Sequence, residues 1–213
     1  MWVAELWRFP VKSMGGERLE RAVVHPDGIV GDRGVHVEDA HGRVMTARNR
    51  PRLLGHHATF VSEGGGAVLV DGRPFQSPEV AADVAEAAGP GATLVRYDGV
   101  ERFDVLPLLV ATDGAIAAFG RDGRRLRPNL VIGGVDGLAE RNWEGRRLRI
   151  NDVLIGIQDL RARCVMTTYD PDTQVQDHAV LKDIVRRFGG TLALNCHVLH
   201  PGVIALNDPV ELL

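Results

Sequence analysis

The sequence predicts a mainly β protein with a few helices, folded around a barrel-like core. Three observations carry this prediction. Short runs of apolar and β-branched residues recur at least ten times, each bounded by Gly, Pro, Asn or Asp turns. Only three segments show the start and stop signals of a helix. The chain has 213 residues, enough to bury one large β-barrel-like core or two small ones that share an interface.

In order, residues 3–9 read as a strand closed by Pro10, and Val11-Lys12-Ser13-Met14-Gly15-Gly16 follows as a turn. Residues 19–24 form a second strand, His25-Pro26-Asp27-Gly28 turns the chain, and Gly31-Asp32-Arg33-Gly34 breaks it again before a strand at 35–38. Asp39-Ala40-His41-Gly42 is a hairpin connection. Four arginines then crowd residues 43–53 beside a strand end, and β-type composition continues over 54–61. Gly64-Gly65-Gly66 reads as a turn, and residues 67–70 with Asp71-Gly72 as a strand and hairpin. Residues 78–88 form the first helix, with Ser77 as N-cap, Pro78 at the first helical position and Gly89-Pro90 as the stop. After a strand at 93–97, the polar link 98–102 marks a domain boundary, giving units 1–97 and 98–213.

The second unit opens with an apolar strand at 106–110. Thr112-Asp113-Gly114 then caps a helix that ends at Gly120; a capping hydroxyl lies at the positive end of a helix, where an anionic group can also sit. Residues 127–133 read as a strand entered through Pro128, and period-2 alternation places Arg127 and Asn129 on one face, within joint reach of a ligand. A loop at 135–145 is anchored by Trp143, and a hairpin at 147–150 and 153–160 leads into Arg161-Ala162-Arg163-Cys164. After the Asp170-Pro171-Asp172 turn come a helix at 178–188, strands at 191–199 and 203–206, and a short last strand starting within 207–210.

Composition narrows the function. A net charge of −3 gives no overall positive field, which argues against general nucleic-acid binding and points to a small-molecule partner. Of 25 basic residues only Lys12 and Lys182 are lysine, and ten arginines lie between Arg121 and Arg163. Guanidinium forks suit phosphates and carboxylates, although most such arginines serve solvated faces. Two cysteines make no disulfide framework, no basic leader with a long apolar run opens the chain, and no apolar run reaches 18 residues. These features predict a cytoplasmic protein with reduced thiols and no membrane span.

Candidate chemistry is sparse. Cys164 is flanked by arginines that favour its thiolate, the form that ligates metals; a small buried hydrophobe is the alternative. Lys12 and Ser13 beside two glycines can hold an anion, but Gly-x-x-x-x-Gly-Lys is absent and an exposed loop lysine is the simpler reading. His56 and His57 are adjacent in a predicted strand and so face opposite sides, which excludes joint chelation. Cys196 reads as a core thiol. Asp170 and Asp172 are placed either to relay protons or to shape the turn. Gly-x-Gly-x-x-Gly, Cys-x-x-Cys, His-Glu-x-x-His and Gly-x-Ser-x-Gly are all missing.

Six separated blocks occur in one order: Phe9-Pro10-Val11-Lys12-Ser13; Gly31-Asp32-Arg33; Met45-Thr46-Ala47-Arg48 with Pro51-Arg52-Leu53; Arg127-Pro128-Asn129-Leu130-Val131; Arg163-Cys164 through Asp170-Pro171-Asp172-Thr173; and Pro201-Gly202 to Asp208-Pro209-Val210. Together they resemble the MOSC superfamily, the molybdenum-cofactor-sulfurase C-terminal domain. The likeness is greatest to the branch with the amidoxime-reducing components and the bacterial proteins that confer resistance to N-hydroxylated bases. The resemblance implies a MOSC-type β-barrel packed with an N-terminal β-barrel-like region, and a molybdenum cofactor. It makes Cys164 the protein ligand to molybdenum and places Lys12, Ser13, Arg33, Thr112, Arg127 and Asn129 around the pterin and its phosphate, with Asn195 near the site and Asp170 as a candidate catalytic group.

The implied reaction is reduction of amidoximes, hydroxylamines or N-hydroxylated bases by oxygen transfer to molybdenum. No ferredoxin-like domain follows Leu213, so the electrons are expected from a separate ferredoxin-like or flavin-containing protein. The alternative is a cofactor or sulfur carrier with a persulfide on Cys164, although no aminotransferase-like sulfurase domain precedes it. Two departures bear on substrate choice: Ala162 where relatives commonly have Ser, and Gln174 where Gly often follows Asp-Pro-Asp-Thr.

Overall fold

Alternation along the strands sets the core of the larger half. In the strand Arg147–Ile150, Leu148 and Ile150 are buried while Arg147 and Arg149 face water, and this inward face packs with Ile155, Ile157, Leu194 and Cys196 of the next two strands. The computed structural model describes residues 1–61, 66–97 and 99–213. Its main sheet has eight strands, in the order Val210–Leu212, Arg147–Ile150, Val153–Ala162, Thr191–His200, Leu108–Thr112, Leu130–Gly133, Trp2–Arg8 and Glu17–Leu19. Backbone bonds from Val3 to Asp208 (3.0 Å), Asn207 to Val3 (2.9 Å) and Val210 to Met1 (3.0 Å) return the chain end to its first strand, closing the sheet on itself as predicted for a barrel.

One neighbouring pair in this sheet is parallel, Leu108–Thr112 with Leu130–Gly133, and a parallel pair needs a crossover. The short helix α1 (Pro78–Ala88) belongs to the other half; the crossover contains α2 (Asp113–Phe119), capped by the Thr112 hydroxyl accepting from Ala115 N at 3.0 Å. The third helix, α3 (His178–Phe188), ends at Gly189 in the left-handed conformation and packs Val180, Ile184 and Phe188 against Phe119 and Leu126. Among the described residues no helix is long and apolar enough to cross a membrane.

The other half holds two three-stranded sheets, Thr93–Arg96 with Val35–Glu38 and Val44–Met45, and Ala58–Val61 with Ala67–Val70 and Arg73–Pro74. Helix α1 covers their shared core of Val35, Val37, Leu53, Val68, Val70, Val80 and Val84. Ser77 and Pro78 start this helix as read from the sequence, with Ser77 Oγ accepting from Val80 N. The predicted Gly64-Gly65 turn and Asp98, the first residue of the predicted second unit, lie outside the described residues.

Three strand predictions change. The run 19–24 is two strands, because the chain changes partners at Glu20: Glu17–Leu19 pairs with Trp2–Arg8, and Arg21–His25 pairs with Gly202–Ala205. Part of 54–61 is instead a 3₁₀ turn, Pro51–Gly55, for which Pro51 presets the backbone. The strand at 127–133 begins only at Leu130: Arg127 caps the 3₁₀ turn Gly123–Leu126 with φ +56, so it does not share a strand face with Asn129.

A buried network joins the two halves. The Asp32 side chain is fully buried; it accepts from Phe9 N at 2.7 Å and Asn129 Nδ2 at 3.2 Å, and pairs with Arg33. Asn129 accepts from Leu109 N at 3.1 Å and donates to Trp7 O at 3.4 Å. A buried charge stripped of its partner costs about 3–5 kcal/mol. Asp32→Ala is therefore expected to lower stability by about that amount, against about 0.5 kcal/mol or less for an ordinary surface change, and urea unfolding of the two proteins measures the difference.

Candidate functional site

Cys164 sits where the long strand Val153–Ala162 runs out. It is extended (φ −129) and starts the 3₁₀ turn Val165–Thr168, and the strand read as 153–160 runs on to Ala162, two residues short of it. The turn is held from both sides: Thr167 N and Oγ1 donate to Cys164 O at 3.1 and 2.9 Å, and Arg125 donates to Thr167 O, Thr168 O and the Asp170 carboxylate. The thiol is partly exposed, whereas Cys196 is buried in the barrel, where desolvation pushes its pKa up and leaves it inert.

Around Cys164 lies a cleft lined by seven cations: Lys12, Arg33, Arg48, Arg125, Arg127, Arg161 and Arg163. Three carboxylates answer them. Asp104 takes Lys12 (3.1 Å), Arg48 (2.7 Å) and Arg161 (3.4 Å); Asp32 takes Arg33, and Asp170 takes Arg125 (2.9 Å). Among the described residues, Arg127 and Arg163 pair with no carboxylate. The Arg127 guanidinium lies 4.2 Å over the Phe9 ring, and burial, reinforced by the like charge of Arg33, pushes its pKa down to about 9. Arg163 donates to Leu126 O at 2.8 Å, its Nε is buried without a partner, and burial with the like charge of Arg161 pushes it down to about 10. Both cations are held at a cost that a bound anion would relieve. Arg48 behaves oppositely: the attraction of Asp104 and of the Cys164 sulfur outweighs its burial and raises its pKa.

The backbone supports the same reading. Ser13 (φ +73), Arg33 (φ +53) and Arg127 (φ +56) all line the cleft and all adopt the left-handed conformation, which costs a non-glycine residue about 1–3 kcal/mol. Ser13 Oγ accepts from Ala47 N at 3.0 Å, leaving its hydroxyl proton to donate. The neighbouring glycines do not present amides to an anion: Gly15 N is bonded to His56 O at 2.8 Å, and a Cβ on Gly16 would lie 2.2 Å from Arg8 O, so close packing requires glycine there.

The structure thus brings together Lys12, Ser13, Arg33, Arg127 and Cys164 from distant parts of the chain. Thr112 is not among them: it is fully buried, caps α2 and donates to Glu140 Oε2 at 3.3 Å. Asn129 and Asn195 line an adjoining hollow that shares Arg33, Asp104, Leu109 and Arg161 with the cleft. Both asparagines are committed to protein, Asn129 in the Asp32 network and Asn195 donating to Asp159 at 2.6 Å. Asp170 does not line the cleft. Its Oδ1 accepts from Asp172 N, Thr173 N and Thr173 Oγ1, and these bonds, Thr173 N foremost, hold its pKa below the usual value; its Oδ2 positions Arg125. Gln174 has φ +57, which explains why glycine suits that place. Asp104 went unrecognised in the sequence, where it is one acidic residue between the polar link 98–102 and the strand at 106–110.

Among the described residues no three His, Cys, Asp or Glu side chains cluster as a metal site. The cleft can therefore serve a polyanion, or a metal that arrives with most of its own ligands and takes one thiolate from the protein.

Fold and cleft define a β-barrel protein with a cation-rich cradle around one accessible thiol. The chain belongs to the MOSC family: the MOSC N-terminal beta barrel domain matches residues 1–104 and the MOSC domain matches residues 116–211. It is 25% identical to mitochondrial amidoxime-reducing component 1 of Homo sapiens over a 287-residue alignment that covers 99% of this chain and 82% of that protein. The Mus musculus protein of the same name is 26% identical over 284 residues, with the same coverage. A crystal structure of the YuaD protein from Bacillus subtilis has a TM-score of 0.54 at 15% identity, covering 100% of this chain and 98% of that one, a likeness of fold alone.

Asp104 yields a pH test. Its burial raises the pKa, but Lys12, Arg48 and Arg161 together lower it below the ordinary 3.8. Its contribution to stability is complete above the unfolded value and is lost as pH falls through the lower folded one. Asp104→Asn should therefore be less stable than the parent at pH 7, with the gap closing as the pH is taken below about 3.8; denaturant unfolding across that range checks it.

Proposed function

We propose that this protein holds a molybdenum–pterin cofactor in the Cys164 cleft and reduces N-hydroxylated compounds such as amidoximes, hydroxylamines and N-hydroxylated bases. Electrons come from a separate redox protein. The observation that carries the reading is one thiol set among seven cations, two of them without a carboxylate among the described residues. Such a cofactor brings its own sulfur and oxygen ligands and a phosphate, so a single cysteine and an excess of guanidinium are the donors it lacks. When bound, it supplies a two-electron centre able to accept the oxygen of an N–OH group.

In this reading Arg48 and Arg163 set positive charge beside the Cys164 sulfur, and the turn pinned by Arg125 aims it. Lys12, Ser13, Arg33 and Arg127 bind the pterin and phosphate, while Asn129 and Asn195 brace Arg33 and Arg161 behind them. Thr112 supports the site only through the start of α2. We also propose the division into units 1–97 and 98–213, with the cleft drawing residues from both. The amidoxime-reducing names of the two mammalian relatives support the substrate class.

Protein made in a host that synthesises the cofactor should carry stoichiometric molybdenum and pterin and turn over N-hydroxylated substrates with a chemical reductant. Cys164→Ala should lose both. Arg127→Ala should retain the fold but hold the cofactor about tenfold to a hundredfold more weakly, the equivalent of one charge-assisted hydrogen bond of about 1.5–3 kcal/mol. Metal-free protein with a labile sulfur on Cys164 would establish the carrier function instead, and protein with neither would overturn both readings.

A further inference from the structure

Arg125, Arg127 and Met166 line the Cys164 cleft, and the same three residues line a second, larger cavity of ≈ 500 Å³. That volume lies within the range of small-molecule sites. Trp7 and Phe9 form one wall, with ring centroids 6.4 Å apart and planes within 13° of parallel. The Trp7 ring is fixed in place: its indole N–H donates to Glu5 at 2.7 Å and Arg18 lies 5.6 Å over its face. Ile116, Met166 and Tyr169 add apolar and aromatic surface.

The charges of this cavity are mostly spent. Arg18 pairs with Glu5 at 3.4 Å, Arg124 with Asp122 and Asp172, and Arg125 with Asp170. Arg127, at the junction with the cleft, rests on Phe9. A ligand here meets an aromatic wall, against which planar rings are favoured by stacking.

We propose that this cavity is the subsite for the body of the substrate, a flat aromatic or heteroaromatic ring whose uncharged N–OH group points past Arg127 toward Cys164. The proposal rests on the reading of the cleft given above. Reduction breaks the N–O bond: two electrons from the redox protein and two protons convert an amidoxime into an amidine and water. The amidine takes up a further proton near neutral pH and becomes a cation.

The test compares benzamidoxime with acetamidoxime on cofactor-loaded protein, in the parent, in Trp7→Ala, which removes the flat wall, and in Ile116→Trp, which fills the cavity. The ratio of kcat/KM for the aromatic over the small substrate should fall roughly tenfold or more in both variants. A ratio unchanged within about twofold, with both variants carrying parental molybdenum, would overturn the proposal. So would loss of molybdenum from either folded variant, which would give the cavity to the cofactor. If the loaded parent turns over neither compound, the functional reading fails, and calorimetric titration of benzamidoxime decides the cavity by itself: binding weakened roughly tenfold in both variants supports the subsite, and absence of binding to the parent sinks it.

Discussion

A carboxylate with no exposed surface, Asp32, is the constraint on which the rest of this site depends. Buried charge is tolerable only when donors surround it. Here the donors come from Phe9, Asn129 and Arg33, and through Asn129 the network extends to Trp7 and Leu109. Segments from both halves of the chain are thereby fixed relative to one another. Arg33 and Arg127, at 5.1 and 4.2 Å from the centre of the Phe9 ring, are held close together despite like charge.

That proximity makes the cleft a place of stored unfavourable energy. Three residues lie in left-handed backbone conformations, two guanidiniums have depressed pKa values, and a buried Nε lacks a partner. None of this aids folding by itself. An anion beside these guanidiniums would lower the cost of their burial, which is how a preorganised site gains affinity without rearranging its walls. Asp104 moderates the same field from inside, gathering Lys12, Arg48 and Arg161 on one carboxylate.

Local signals were legible where local physics decides the outcome. Ser77 and Pro78 start α1, Gly120 and Gly189 stop α2 and α3, and Trp143 anchors its loop, because capping, fixed φ and burial act over a few residues. The errors fall where tertiary partners intervene. The run 19–24 alternates without interruption, yet the chain leaves one sheet at Glu20 and joins another, and alternation is blind to which strand lies beside it. Arg127 was assigned to a strand by its apolar neighbours, whereas a 3₁₀ turn and a left-handed cap place it.

The sequence by itself determined a β-rich chain with three helices, a cysteine flanked by arginines, and six blocks whose order marks the MOSC family, for these depend on residue type and spacing along the chain. Only the tertiary structure decided which polar residues face the cleft. It turned Thr112, Asn129 and Asn195 to bracing roles, made Asp170 a support for Arg125, and added Asp32, Asp104 and Arg48 to the site. The physical reason is that a charged side chain takes its role from the partners that burial leaves within reach, and those partners come from segments the chain separates by as many as 97 residues.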